Sequence, residues 1–257
     1  MNHLIVHQEN HVCQIGFNRP AVRNNIDQAT CLALIDELIR ADQDPQVHCV
    51  VLHGDESIFC SGLTLQELMN RSEESAVSFE KLINTLLAFK KPLLAAVRGP
   101  AVGLGVALLL YCDIVYCGKS SMFSVPATAL GLTPEHGLTQ GLAIRAGYHK
   151  ACEKLLLSEP FTANEALQMN LVNDIFDDEH VLEQTLGRAQ RLCRLPLGSV
   201  MATKALLRQG LAQELAPHLH QETLSALARQ QSAEAKEAFS AFKEGRQPDF
   251  STIDPNA

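Results

Sequence analysis

No apolar run in this sequence is long enough to cross a bilayer. The longest candidate, residues 102–111, is about half of a span. The first nine residues lack a basic stretch followed by an apolar one, so no signal or transit peptide is expected. Residues 254–257 form no peroxisomal or retention tripeptide. A basic excess is also missing: 21 Lys and Arg face 29 Asp and Glu, a net charge of −8. That excludes an extended nucleic-acid surface but not a local site for an anion. The eight cysteines include no CxxC pair, which speaks against zinc and against a disulfide framework. They read as reduced, mostly buried thiols, and a cytoplasmic protein without membrane or nucleic-acid partners is expected. Internal repeats and low-complexity segments are absent.

What is present is a globular composition, 46% hydrophobic and 19% charged over 257 residues, enough for a large α/β core. Residues 4–6 and 12–17 read as strands joined by a turn at Glu9-Asn10, an antiparallel pair. Residues 27–41 have helical apolar spacing. Further strands are expected at 49–53, 93–97, 113–116 and 122–123, and helices at 77–89 and 106–111. From His136 onward the chain reads as helical, with one short strand near 171–175. Composition changes near Leu197, dividing a strand–helix core, 1–196, from a helical region, 197–257.

Two loops after strands carry the chemistry: Phe59-Cys60-Ser61-Gly62-Leu63, and residues 99–105 with Gly99, Gly103 and Gly105. Glycine allows close backbone approach, and a strand running into a helix start leaves amide N–H groups free. Two such loops can aim two N–H groups at one oxygen, an oxyanion hole. Either loop alone also fits an ordinary tight turn.

These loops, with Asn18-Arg19-Pro20, Arg23-Asn24-Asn25, the stretch from Phe161-Thr162-Ala163 to Leu171-Val172 and the C-terminal segment 239–250, resemble the enoyl-CoA hydratase/isomerase (crotonase) family over nearly the whole chain. Asn170 stands where that family usually has glycine. The resemblance implies an α/β fold, the crotonase (ClpP-like) spiral of ββα units with a C-terminal helical trimerisation region, assembled as a homotrimer or homohexamer. It implies an acyl-CoA substrate and no separate cofactor or metal. It also implies that Leu63 and Leu104 donate the oxyanion N–H groups, with Gly62 and Gly103 among the residues that bind the acyl-CoA. Arg23 and Lys243 would meet CoA, and the Ser61 carbonyl would meet its adenine.

Hydratases of the family resemble one another in having two glutamates, suited to holding water and delivering a proton. The corresponding positions here hold Ala107 and Ala127. Thr133-Pro134-Glu135-His136-Gly137 resembles the segment that carries the base of peroxisomal-type Δ3,Δ2-enoyl-CoA isomerases, with His136 inserted. One carboxylate, Glu135, suits the shift of a 3-enoyl-CoA double bond to the 2-position, with Ala107, Ala127 and Leu130 as apolar walls. Read without the resemblance, Glu135 is an acidic residue at a helix start.

Other readings follow from the same residues. The oxyanion loops also suit weak hydration, thioester hydrolysis or decarboxylation. The two alanines suit a non-catalytic acyl-CoA-binding protein. A single-stranded RNA role, which some relatives resemble, would need a basic face, and the net charge of −8 speaks against one. Lys204 is a second cation on the C-terminal helices that can approach CoA. Thr64 stands where the family often has aspartate. His136 reads as a packing or surface residue, and Glu73-Glu74 as a solvated helix start. Cys60 has no histidine near it in sequence to make it a nucleophile.

Overall fold

The computed structural model describes residues 3–254 apart from Arg71. The expected domain limits at 1 and 257 therefore lie outside the described residues. The first strands, β1 (Leu4–Glu9) and β2 (Val12–Phe17), form an antiparallel hairpin with Leu4 opposite Phe17 and Glu9 opposite Val12. Asn10 and His11 turn the chain, both at positive φ. Helix α1 (Gln28–Gln43) starts at Asp27, whose carboxylate accepts the Thr30 N–H at 2.8 Å, a side-chain N-cap. It buries Cys31, Leu34, Ile35, Leu38 and Ala41, while Leu32 and Ile39, apolar positions of the same helical spacing, stay exposed.

Strands β3 (Cys49–His53) and β4 (Leu93–Val97) are almost wholly buried, as parallel strands covered on both faces must be. Between them run helices α2 (Leu65–Asn70) and α3 (Glu73–Ala88). A short strand β5 (Ala101–Val102) leads into α4 (Leu104–Leu110), whose seven residues are all buried. Strand β6 (Ile114–Gly118) returns to the main sheet, and β7 (Met122–Ser124) leaves it. Helices α5 (Leu138–Ala146) and α6 (Tyr148–Leu157) precede β8 (Phe161–Thr162), α7 (Ala163–Gln168) and β9 (Asp174–Phe176). The chain ends in α8 (Val181–Cys193), the 34-residue α9 (Leu197–Gln230) and α10 (Ala233–Glu244).

The main sheet has the order β1-β2-β3-β4-β6-β9, parallel from β2 onward. A second sheet has the order β5-β7-β8. One face of the main sheet packs on the large core that holds α1, α3 and α4. Its other face packs on α8 through Val181 and Ala189. Leu215 and Leu219 of α9 belong to the large core, so the C-terminal helices share it with the strands.

The second sheet corrects two expectations. Residues 101–102 and 161–162 are strands, not loop and helix. Each is two residues long, too short to show a period, and each exists only because β7 lies between them. The late strand lies at 174–176, after 171–172, which close the turn at the end of α7. Asn170 has φ +54 there, a left-handed conformation that asparagine tolerates nearly as well as glycine.

Candidate active site

The N-terminal motif braces the first loop. Asn24, fully buried, accepts the Arg19 N–H at 2.8 Å and donates to the Ile58 carbonyl and the Asp55 carboxylate. Arg19 donates to the Asn25 side chain at 2.6 Å and pairs with Asp27 at 2.7 Å. The Ser61 N–H donates to the Arg23 carbonyl, and the Ile26 N–H to the Gly62 carbonyl. The segment 18–27 is thus a polar frame for residues 58–62.

The two glycine-bearing loops are joined to each other. The Phe59 and Cys60 amides donate to the Pro100 carbonyl, and the Val102 amide donates to the Cys60 carbonyl at 2.9 Å. Gly105 sits so close that a Cβ there would fall 2.6 Å from the Cys60 carbonyl oxygen. Gly62 and Gly103 both have positive φ, +75 and +53. The residues that follow them, Leu63 and Leu104, both line one cavity. Among the described residues, neither N–H donates a hydrogen bond within the chain.

That cavity holds about 280 Å³. Ser61, Leu63, Gly103 and Leu104 form one wall, and Ala127, Leu130 and Leu132 another. Phe242 of α10 closes part of the mouth, with α10 packed on Leu132 through Ala235 and Phe239. Glu135 lines the cavity and is only 7% exposed. Among the described residues it is the one carboxylate in the lining, which is otherwise largely apolar. The turn from 135 to 137 precedes α5, which begins at Leu138, so Glu135 lies before the helix. His136 also lines the cavity; it is buried, with its ring near Phe79, 6.1 Å between centroids.

The remaining candidates fall in three places. Arg23 is exposed, and its side chain makes no ion pair or hydrogen bond among the described residues. Lys243 is exposed on α10, next to Phe242 at the cavity mouth. Ala107 is fully buried within α4 and does not reach the cavity lining, so its expected part as a wall is corrected; Ala127 and Leu130 do line it. Lys204 lies in another place: it is buried, pairs with Asp113 at 2.7 Å and donates to the Lys91 carbonyl. Burial pulls its pKa down to about 8. The thiol of Cys60 is fully buried, which pushes its pKa up to about 12, an inert thiol rather than a nucleophile. Thr64 caps α2 in a reciprocal pair with Glu67.

Sequence reasoning missed Tyr111 and Glu222, which hold the turn after Glu135. It also missed Phe242 at the mouth. No local pattern marks them, because their partners lie 25 and 85 residues away for the first two.

Fold and site together define an α/β protein with two unbonded loop amides and one carboxylate around a largely apolar cavity. The family model described as "Enoyl-CoA hydratase/isomerase" matches residues 7–253. The 2,3-dehydroadipyl-CoA hydratase of Escherichia coli K12 is 34% identical over 252 residues, covering 97% of this chain and 99% of that protein. The enoyl-CoA delta isomerase 2 of Rattus norvegicus is 30% identical over 246 residues, 93% of this chain and 63% of that protein. The crystal structure of an enoyl-CoA hydratase/isomerase from Pseudoalteromonas atlantica T6c superposes with a TM-score of 0.92 at 32% identity, covering 97% of this chain and all of that one. The chain belongs to the enoyl-CoA hydratase/isomerase family and has the crotonase fold.

Proposed function

We propose that this protein binds an acyl-CoA thioester and shifts the double bond of a 3-enoyl-CoA to the conjugated 2-position. The observation that carries this reading is the pairing of one carboxylate, Glu135, with two unbonded amides in a largely apolar cavity. Glu135 takes the C2 proton, which is acidified by the thioester carbonyl and the adjacent double bond. The electron pair moves onto the thioester oxygen. The Leu63 and Leu104 N–H groups hold that oxygen, each worth about 3 kcal/mol in the transition state. The carboxylic acid then returns the proton at C4 and regenerates the carboxylate. No water enters the balance, so walls such as Ala127 and Leu130 assist by keeping it out. The exposed cations Arg23 and Lys243 would meet CoA phosphates, and the Ser61 carbonyl its adenine.

Hydration is the second reading, favoured by the similarity to the E. coli hydratase. Against it stand Ala107 and Ala127, inert where hydratases resemble one another in having glutamates. Assembly into trimers or hexamers is supported by the apolar side chains that α9 leaves in solvent, Leu206 and Leu207, 74% and 76% exposed.

Conversion of 3-enoyl-CoA, followed by the ultraviolet absorbance of the conjugated product, tests the proposal with wild type beside Glu135→Gln. Turnover by the wild type and a loss of at least about a hundredfold in kcat in the variant support it. A wild type inactive on short, medium and long chains overturns it.

A further inference from the structure

The turn that carries Glu135 is held by groups outside the cavity. His136 has φ +64, a left-handed conformation that a side-chain-bearing residue rarely adopts, and Gly137 follows at φ +84. The peptide unit between them is tied at both ends. Its carbonyl, on His136, accepts the Tyr111 hydroxyl at 2.6 Å. Its N–H, on Gly137, donates to Oε2 of Glu222 on α9 at 2.6 Å. The other carboxylate oxygen of Glu222 accepts the Thr139 N–H at 3.0 Å and the Thr139 hydroxyl.

Glycine at the N-cap has no side chain to satisfy the first amides of α5. Glu222, 83 residues further on, accepts the Thr139 amide instead. Packing does not replace these bonds. A cavity of about 270 Å³, bordered by Pro134, Thr139, His218 and Glu222, lies on that side of the turn. On the opposite side the fit is tight, since a Cβ at Gly137 would collide with the Tyr111 hydroxyl. A flip of the 136–137 peptide would have to break both bonds at once.

We propose that Glu222 is a positioning residue for Glu135: by holding the Gly137 N–H against the pull of the Tyr111 hydroxyl, it locks the turn that directs the Glu135 carboxylate into the cavity. Glu222 is 7% exposed, and burial raises its pKa while the three donors lower it. Glutamine at this position keeps the shape but turns an NH2 group toward one of the donors. This inference rests on the assignment of Glu135 as the base.

The test is a double-mutant cycle of Glu222→Gln with Glu135→Gln, read in two assays. One is isomerisation of 3-enoyl-CoA. The other is exchange of the C2 protons of butyryl-CoA for deuterium in D2O, followed by mass spectrometry. Glu222→Gln alone is expected to lower kcat tenfold or more, with KM within threefold, and to speed amide hydrogen exchange at Gly137. In the Glu135→Gln background it is expected to change the residual rate less than twofold. Losses that multiply in the double variant, or an unchanged kcat despite faster Gly137 exchange, overturn the proposal and leave Glu222 a helix cap. If Glu222→Gln does not fold, Tyr111→Phe, which frees the other end of the same peptide, decides by the same cycle. C2 exchange without isomerisation overturns the isomerase reading and not this one. No Glu135-dependent rate in either assay overturns both.

Discussion

A Cβ placed on Gly62 would fall 3.2 Å from the Leu104 nitrogen and would collide with the Val102 carbonyl oxygen. The two loops that line the cavity therefore touch through bare backbone. Gly62 also has φ +75, which any L side chain adopts at a cost. Gly62→Ala is expected to push the loops apart. Strain of about 1–3 kcal/mol should lower the melting temperature, and kcat/KM should fall about a hundredfold or more. Steady-state kinetics beside a thermal melt check this. A variant as active as the wild type would show that the loop spacing is not critical.

Glu135 has no second carboxylate beside it in the cavity lining among the described residues. The wild type is expected to hydrate crotonyl-CoA at least about a hundredfold more slowly than it isomerises a 3-enoyl-CoA, because hydration calls for two acid–base groups and Ala107 and Ala127 stand at both of those positions. Loss of absorbance of the conjugated thioester measures the hydration. Equal rates would move the hydratase reading ahead.

Asp113 is the hub of a polar cluster beneath α9. It accepts the Leu93 N–H at 2.8 Å and pairs with Lys204 at 2.7 Å and Arg208 at 3.0 Å. Arg208 donates further to the Leu86 and Tyr111 carbonyls, so the cluster ties α9 to the end of α4. Asp113→Ala leaves the buried Lys204 ammonium without its counter-ion. The expected loss is about 3 kcal/mol in a urea titration. The cluster lies outside the cavity, so kcat of the protein that remains folded should change little.

Glu165 completes the capping box of α7 with Thr162 and bonds to the buried Lys154 at 2.8 Å. The Lys154 bond, first among the causes, lowers its pKa from 4.5 to about 2. A carboxylate whose pKa is depressed on folding adds stability that is complete above its unfolded value and is lost as pH falls through the folded one. Glu165→Gln is therefore expected to melt below wild type at pH 7. The gap should close between pH 4.5 and about 2. A gap that stays constant across that window would assign the loss to packing instead of charge.

Much of this protein is local and could be read from residue order. The buried strands at 49–53 and 93–97 are short, mostly apolar runs, and α1 follows from its helical apolar spacing. The two glycine loops and the Glu135 segment are equally plain in the chain, because each depends on neighbours within a few residues. Other features depend on which distant segments meet. Strands β5 and β8 are two residues each and are defined by β7 between them. Lys204, an exposed cation by composition, is buried against Asp113. That Leu63 and Leu104 line one cavity, and how the turn after Glu135 is tied down, was decided by backbone bonds between loops about 40 residues apart and by Glu222 reaching across 85. Such pairings leave no period or spacing in the chain, since a hydrogen bond between remote groups constrains geometry and not the residues in between.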